Sequence, residues 1–483
     1  MRKSRSNRRD LITMRLRLLP FAVVLAVALA ACTAPPPVAA VAFSSHASGQ
    51  TNYGNRTIVV TAQLTGTQPD AQIDVSTNAR DVTKVRTGDV LELTVELKDN
   101  ANTITVSVAN QGQATPDSAT LTLEYPFLTL ENTQAAAVVI GQPDFDTTSE
   151  TATNKEFGGP YIRPLVLNGV LYLPDYGMER VMGYLQVPTT NDASADFVIG
   201  KQTFDDSTST VGPATLSGPQ TVATDGQRLY ILDYSFGRIT VYDTPPTTSG
   251  ALADFAIGQP DLATNGTGTT ATSLSYPESM TLAGGRLIVA DSGNNRVLIW
   301  NEVPTAVGTP ADLVLGQSDF VSGSSNAGGT TAANTLNYPT DVWSDGTRLV
   351  VLDADNNRVL IWNTFPTTDF AAADMVLGQT DFVKEGAASG APGLAYPYSV
   401  DSNGNQLFVA DANNNRVLVW NTFPTASGQP ADMVLGQSDF EGSAAATSAT
   451  GLAYPTGVYL DGNSLFVTDH DNYRYLIYRG AED

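Results

Sequence analysis

Histidine and cysteine are scarce in this 483-residue sequence, which holds one cysteine, Cys32, and two histidines, His46 and His470. A zinc site draws most of its ligands from these residue types, and a Ser-His-Asp triad needs a histidine beside its nucleophile. The sequence therefore predicts no transition-metal site, no cofactor and no catalytic group that can be named. A single cysteine also excludes an internal disulfide, so strand packing has to supply the stability.

Positive charge is also scarce, because 26 Lys and Arg stand against 49 Asp and Glu, for a net charge of -23. A chain this acidic repels nucleic acid and anionic lipid surfaces. We expect no nucleic-acid partner, and contact with a membrane only through an anchor.

The N-terminal segment predicts export. A basic stretch over residues 1–17 precedes thirteen apolar residues, 18–30, a run too short to span a bilayer and typical of a secretory signal. The sequence Leu29-Ala30-Ala31-Cys32 then resembles a bacterial lipobox. This resemblance implies removal of residues 1–31 and lipidation of Cys32, with Thr33 favouring the outer membrane in a Gram-negative cell. The alternative is an ordinary signal peptide with an incidental cysteine.

Residues 32–42 are rich in Pro and Ala and predict a linker. Residues 43–126 contain runs that alternate apolar and polar residues between turn-rich segments, which predicts a small antiparallel β-sandwich. These runs resemble bacterial immunoglobulin-like or cadherin-like domains. We expect this domain to be a spacer, the alternative being an independent binding role. Residues 127–135 are a second linker.

From residue 136 to the C-terminus three landmarks repeat six times in a fixed order. A Gly-Gln element (Gly-Lys-Gln in one copy) comes first, a proline follows, and an Asp-x4-Arg pair ends the series. The pairs are Asp175/Arg180, Asp233/Arg238, Asp291/Arg296, Asp353/Arg358, Asp411/Arg416 and Asp469/Arg474. Repetition at a period of about 58 residues is typical of solenoids, propellers and arrays.

Each copy holds four short runs of strand composition, and runs such as RVLIW are apolar on both faces. Four short strands per repeat predict a β-propeller blade. The first copy begins with a lone strand, 136–140, and the last copy stops after its third strand. We therefore predict an all-β fold in which residues 136–483 form a closed six-bladed propeller, with 136–140 pairing with 473–478.

The proline, the D-x-x-N-N-R-V turn and the following V-L-I-W resemble NHL repeats, and the VLGQxDF strand is similar to that of secreted bacterial NHL-repeat proteins. The resemblance is specific for fold. NHL-type propellers include lyases, RNA binders, sensors and adhesion modules, so it does not select a function.

A feature present in all six copies serves the scaffold, so the Asp-x4-Arg pairs are predicted to be structural. Copies three to five have polar turns, whereas copies six, one and two read DHDNYR, DYGMER and DYSFGR. In a closed ring these three copies are neighbours. They predict an aromatic sector on the top face, the end that carries the turns: Tyr176, Met178, Tyr234, Phe236, His470 and Tyr473. The alternative is compensation, because Gly159 and Gly218 replace the tyrosine that precedes the proline in other copies.

The mouth of the central channel is expected to be lined by residues that follow the prolines: Tyr161, Gln220, Glu278, Asp341, Tyr398 and Thr456. An extra residue in copy one predicts a bulge that aims Arg163 at the axis. If the channel held calcium, as in lactonase-like propellers, Glu278 and Asp341 would be its ligands.

Two functions follow as hypotheses. The first is a surface-anchored, monomeric binding or scaffold protein that recognises a protein, glycan or small ligand on its top face. The alternative is a calcium-dependent propeller hydrolase or lyase with its site at the channel mouth.

Overall fold

The computed structural model describes residues 38–45, 50–51, 57–79, 81–97, 100–125, 127–151 and 153–481. The predicted signal, Cys32 and His46 lie outside these residues. Within them the chain forms eight four-stranded sheets, so the all-β prediction is confirmed. The helical elements there are short 3₁₀ turns, and none of the described helices is long and apolar enough to cross a membrane.

Two sheets precede residue 126 and share one hydrophobic core, with strand orders β1-β3-β6-β5 and β2-β8-β7-β4. Their strands are β1 (Ala40–Phe43), β2 (Gln50–Thr51), β3 (Thr57–Thr65), β4 (Gln72–Thr77), β5 (Asp81–Thr87), β6 (Val90–Glu96), β7 (Asn100–Ala109) and β8 (Asp117–Tyr125). Alternation decides which face is buried, since Leu91, Leu93 and Val95 enter the core while the residues between them face out. Strand β1 starts inside the range predicted as a linker, and β2 pairs with β8 in parallel.

Six four-stranded antiparallel sheets follow, which we number one to six. Sheet one contains β10 (Leu165–Leu167), β11 (Val170–Asp175), β12 (Arg180–Tyr184) and β13 (Phe197–Ile199). Sheet two contains β14 (Pro219–Thr224), β15 (Leu229–Asp233), β16 (Arg238–Tyr242) and β17 (Phe255–Ile257). Sheet three contains β18 (Ser279–Ala283), β19 (Arg286–Asp291), β20 (Arg296–Trp300) and β21 (Leu313–Leu315). Sheet four contains β22 (Pro339–Ser344), β23 (Leu349–Asp353), β24 (Arg358–Trp362) and β25 (Met375–Leu377). Sheet five contains β26 (Pro397–Ser402), β27 (Leu407–Asp411), β28 (Arg416–Trp420) and β29 (Met433–Leu435). Sheet six contains β30 (Pro455–Asp461), β31 (Ser464–Asp469), β32 (Arg474–Arg479) and β9 (Val138–Ile140).

The strands of these sheets are apolar on both faces because a neighbouring sheet covers each face. On β23, Leu349 and Val351 pack towards sheet three, while Val350 and Leu352 pack towards sheet five. Six clusters of this kind join sheets one and two, two and three, and so on to six and one. The sheets therefore close on themselves as a β-propeller.

The N-terminal strand β9 closes this ring, as the sequence predicts. Its Val138, Val139 and Ile140 pair with Ile477, Leu476 and Tyr475 of β32. The preceding linker is not free, because Leu128 and Leu130 are buried in the same cluster as Val139. The backbone N–H of Leu128 also donates to Oε1 of Gln406 at 2.7 Å.

Each Asp-x4-Arg pair is a buried clamp at the turn between the second and third strands of its sheet. In sheet four, Nε of Arg358 donates to Oδ2 of Asp353 at 2.7 Å, and neither side chain is exposed to solvent. The two Nη atoms donate to the carbonyl oxygens of Phe382, Ala332 and Thr335 at 2.6–2.9 Å. The clamp thus connects this turn to the segment that follows the fourth strand and to the loop that precedes the first strand. All six pairs form the same buried contact.

Ring closure predicts the effect of a charge placed in β9. Val139 is fully buried, so Val139→Lys should bury an unpaired ammonium group and lower the melting temperature of the whole propeller in one cooperative transition. The control is Val321→Lys, because Val321 is 71% exposed in a connecting loop. A calorimetric trace in which Val139→Lys melts like the wild-type protein would contradict a structural role for the closing strand.

Candidate functional site

Glu278 lies where the first strands of the six sheets converge, and it is 2% exposed. Its carboxylate accepts a hydrogen bond from the hydroxyl of Tyr338 at 2.6 Å and from that of Tyr398 at 3.0 Å. Burial raises the pKa of Glu278 to about 7, and hydrogen bonds from Tyr338, Tyr398 and Gln220 oppose that rise. Among the described residues no cationic side chain forms an ion pair with it.

Aromatic side chains from all six sheets surround Glu278. We name them the tyrosine collar; its members are Tyr161, Tyr176, Tyr234, Tyr276, Tyr338, Tyr396, Tyr398 and Tyr454, together with His470. The ring centroids of all members except Tyr338 form a connected series with separations of 4.8–6.2 Å. Tyr338 joins the collar through its hydrogen bond to Glu278. The hydroxyls of Tyr161 and Tyr398 are 2.9 Å apart.

The charge of Glu278 reaches across this collar. Burial raises the pKa of seven collar tyrosines, and the negative charge of Glu278 raises it further in every one of them: Tyr161, Tyr176, Tyr234, Tyr338, Tyr396, Tyr398 and Tyr454. The collar therefore shares one negative electrostatic centre.

The backbone of the pre-proline tyrosines is left-handed. Tyr276, Tyr338, Tyr396 and Tyr454 have φ values of 47–54°, a region that residues other than glycine seldom occupy. Three of them are held from the preceding sheet, where Oδ1 of an asparagine accepts the tyrosine's backbone N–H at 2.7–2.8 Å; the pairs are Asn295–Tyr338, Asn357–Tyr396 and Asn415–Tyr454. Neighbouring sheets thus place the rings at the mouth.

Compensation for the missing tyrosines occurs between neighbouring sheets. At Gly218 a Cβ atom would lie 2.7 Å from Cε2 of Tyr176, which belongs to the preceding sheet, so Tyr176 occupies the space of the absent ring. At Gly159 the nearest side chain is His470, again from the preceding sheet, at 3.7 Å. Nδ1 of His470 lies 2.9 Å from the carbonyl oxygen of Pro160. Tyr176 and His470 therefore fill gaps and also belong to the collar.

The predicted aromatic sector is divided by the structure. Tyr234 joins the collar, with its ring 5.2 Å from that of Tyr276. Phe236 is 6% exposed and packs 5.0 Å from the guanidinium of Arg238. Met178 packs against Gly158, and Tyr473 interacts with Glu150. The other four copies have a buried asparagine at the position of Phe236 and Met178; these residues are Asn294, Asn356, Asn414 and Asn472. The polar turns are therefore not exposed loops.

Arg163 reaches the axis from the bulged start of sheet one, as the sequence predicts. Its Nη2 lies 3.2 Å from Oδ2 of Asp341 in sheet four and donates to the carbonyl oxygen of Val400 in sheet five. This ion pair crosses from one side of the ring to the other. It lies one residue deeper than Glu278 along the first strands, so it forms a floor under the collar.

The expectation that Asp341 lines the mouth is wrong. Asp341 is two residues after Pro339, and Thr340 holds the position that Glu278 has in sheet three. Asp341 instead accepts hydrogen bonds from Ser279 and Ser399 in the deeper layer. Both proposed calcium ligands are therefore engaged by donors, Asp341 by Arg163 and Glu278 by two tyrosines. In the part of the chain that the structure describes, no group of three or more His, Cys, Asp or Glu could hold a metal ion.

Of the other predicted lining residues, Tyr161 and Tyr398 are in the collar and Gln220 contacts Glu278. Thr456 is fully buried and its hydroxyl has no partner among the described residues. Sequence reasoning missed Tyr276, Tyr338, Tyr396 and Tyr454. The available signal was a tyrosine before the proline in four of six copies.

Another cleft, of about 470 Å³, lies at the opposite ends of the strands, between sheets four and five. There the guanidinium of Arg348 stacks 3.8 Å from the ring of Phe423 and donates to the carbonyl oxygen of Gly404. The guanidinium also pairs with the carboxylate of Asp345 at 2.7 Å, so its charge has a counter-ion, unlike that of Glu278.

The sequence profile of the NHL repeat matches residues 274–300. This segment is therefore similar to an NHL repeat. It includes Glu278 at the collar and the clamp formed by Asp291 and Arg296. The NHL repeat therefore supplies both the scaffold contact and the central carboxylate of the site. A search of curated proteins finds no match to the chain.

Several solved structures are similar at low levels. The PQQ-bound aldose sugar dehydrogenase of Streptomyces coelicolor has 14% identity and a TM-score of 0.40, over 68% of this chain and 96% of that one. Glutaminyl cyclase of Myxococcus xanthus has 10% identity and a TM-score of 0.32, over 72% and 100%. Apo AztD of Citrobacter koseri has 8% identity and a TM-score of 0.33, over 78% and 88%. Similarity at this level does not indicate the function of this chain.

The pKa of Glu278 predicts a pH-dependent stability. Below pH 4.5 the group is protonated in both the folded and the unfolded chain; as the pH rises to about 7 the unfolded chain loses its proton first, so stability falls. Glu278→Gln removes this loss, and its melting temperature relative to the wild-type protein should rise between pH 5 and pH 8. Asp233 and Asp401, whose pKa values burial raises to about 7 and about 6, contribute equally to both proteins. A difference that stays constant over this range would contradict the buried, uncompensated state of Glu278.

Proposed function

We propose that the protein is an exported lipoprotein, anchored to the cell envelope through Cys32, whose six-bladed propeller is a binding module rather than an enzyme. The two sheets before residue 126 act as a β-sandwich spacer. The ligand, carried by a protein, a glycan or a small molecule, binds at the tyrosine collar. The propeller acts as a monomer.

The observation that carries this proposal is the convergence of eight tyrosines on one end of the ring. Four of them, Tyr161, Tyr396, Tyr398 and Tyr454, also pack with Ile162 and Ala412. Tyrosine combines a large apolar ring with a hydroxyl, and binding surfaces concentrate their energy in a few such anchors. Tyr276 is 45% exposed, so the collar is in part open to solvent.

The calcium-dependent hydrolase has less support. Its two candidate ligands, Glu278 and Asp341, lie in different layers, and the guanidinium of Arg163 neutralises Asp341. The hydroxyls of Tyr338 and Tyr398 occupy both oxygens of Glu278. Calcium takes six to eight oxygen ligands, and Glu278 alone would supply at most two of them.

The test of the binding site removes two collar rings while keeping a backbone that tolerates positive φ. Asparagine accepts the left-handed conformation, so Tyr276→Asn with Tyr396→Asn should leave the melting temperature nearly unchanged. Arrays of glycans, peptides and small molecules should give ligands for the wild-type protein whose affinity falls by about 2 kcal/mol in this variant.

The matched control is Leu252→Asn with Val321→Asn, since both residues are exposed apolar side chains outside the collar. Ligands that bind the collar variant and the control variant equally well would show that the collar is not the site.

The test of the anchor is Cys32→Ser. In cells that carry the lipoprotein pathway, the wild-type protein should incorporate labelled fatty acid and partition with membranes, because an acyl chain adds roughly 0.8 kcal/mol of membrane affinity per buried CH₂. The Cys32→Ser protein should lack the label. Equal labelling of both proteins would contradict lipidation at Cys32.

A further inference from the structure

We propose that the group recognised at the collar is a primary alkylammonium, which binds on the tyrosine rings with its charge directed at Glu278. This inference rests on the proposed binding function and names the chemical class of its ligand.

The carboxylate of Glu278 has no counter-ion among the described residues. A buried carboxylate without a cation is costly, and proteins normally pair such a group. The basic side chains at the collar and in the layer below it already have other partners: Arg163 pairs with Asp341 in the layer below, and Nδ1 of His470 lies 2.9 Å from the carbonyl oxygen of Pro160. A positively charged ligand would complete the pairing of Glu278.

The second step concerns the rings. A phenol that donates its hydrogen to a carboxylate gains electron density on its ring, and Tyr338 and Tyr398 both donate to Glu278. Cations are attracted to the faces of such rings. The collar gathers such rings around Glu278 from all six sheets, and clustered aromatic rings are what proteins use to recognise organic ammonium groups.

The third step selects an ammonium group that carries N–H hydrogens. Gln220 is 1% exposed and its side chain contacts Glu278, yet among the described residues its Oε1 atom has no donor. A primary ammonium can donate to this amide oxygen and to the carboxylate at the same time. A quaternary ammonium has no hydrogen for Oε1.

The charge of the site disfavours anionic and neutral ligands. An anionic ligand would meet the charge of Glu278 and a chain of net charge -23. A neutral sugar could stack on the rings, but it would leave the carboxylate without a counter-ion. The charge therefore favours a cation over both.

The experiment is calorimetric titration of the purified protein at pH 8 and low salt with hexylammonium, compared with its neutral analogue 1-hexanol and with hexyltrimethylammonium. Hexylammonium should bind one site, and both analogues should bind about tenfold more weakly or worse. Glu278→Gln should weaken hexylammonium binding about tenfold. Asp319→Asn, which also removes one negative charge but at an exposed loop, should leave binding unchanged.

Four results would overturn the inference, three of which concern the comparisons. They are equal binding of hexanol, equal binding of hexyltrimethylammonium, and hexylammonium binding that Glu278→Gln does not change. The absence of any hexylammonium binding would overturn it as well. If the double asparagine variant of the collar still loses its array ligands in any of these cases, the binding function stands and only its ammonium chemistry is wrong.

Discussion

The buried Asp–Arg clamp is the contact on which the propeller depends. It fixes the turn between the second and third strands and at the same time holds two other segments through their carbonyl oxygens. A buried ion pair contributes little net stability compared with an apolar pair, but removing one partner costs roughly 3–5 kcal/mol. The clamp therefore acts as a specificity device that permits one arrangement of each turn. Because every copy has one, the same buried contact is present at the turn end of every sheet.

At the turn end of the ring, residues of one sheet hold the collar residues of the following sheet in place. Asn295, Asn357 and Asn415 follow three of the turns and hold the backbone of the following tyrosine. Where the next copy has glycine instead, the asparagine is absent and Glu179 or Tyr473 takes its place. The gap at Gly218 is then filled by Tyr176. The collar is thus a property of neighbouring pairs of repeats and not of single repeats.

The sequence predicts features that lie within one repeat, and it does not reveal contacts that form between neighbouring repeats. The period, the two-sided apolar strands and the unmatched strand at residues 136–140 predict the sheets and their closure, because these features depend on local pattern and repeat count. The burial of Asn356 and Phe236 could not be predicted, since a turn rich in Asn and Asp looks like an exposed loop until its clamp is seen. The role of His470 beside Gly159 was hidden because the two residues meet only when the ring is closed. Asp341 was misplaced by one position along its strand, which moves a side chain by a whole layer at the axis.

The two kinds of buried carboxylate in the propeller separate scaffold from site. The clamp aspartates recur in every copy, and each has its arginine within the same turn. Asp341 also has a partner, Arg163, across the axis. Glu278 differs from both, because the equivalent positions in the other sheets hold only neutral residues, so the fold has no need of a charge there. Burial raises the pKa of Glu278, so its charge opposes folding at neutral pH. Glu278 joins sheets three, four and five through the hydroxyls of Tyr338 and Tyr398, but these neutral donors leave its charge without a counter-ion. The proposed ammonium ligand would supply that counter-ion.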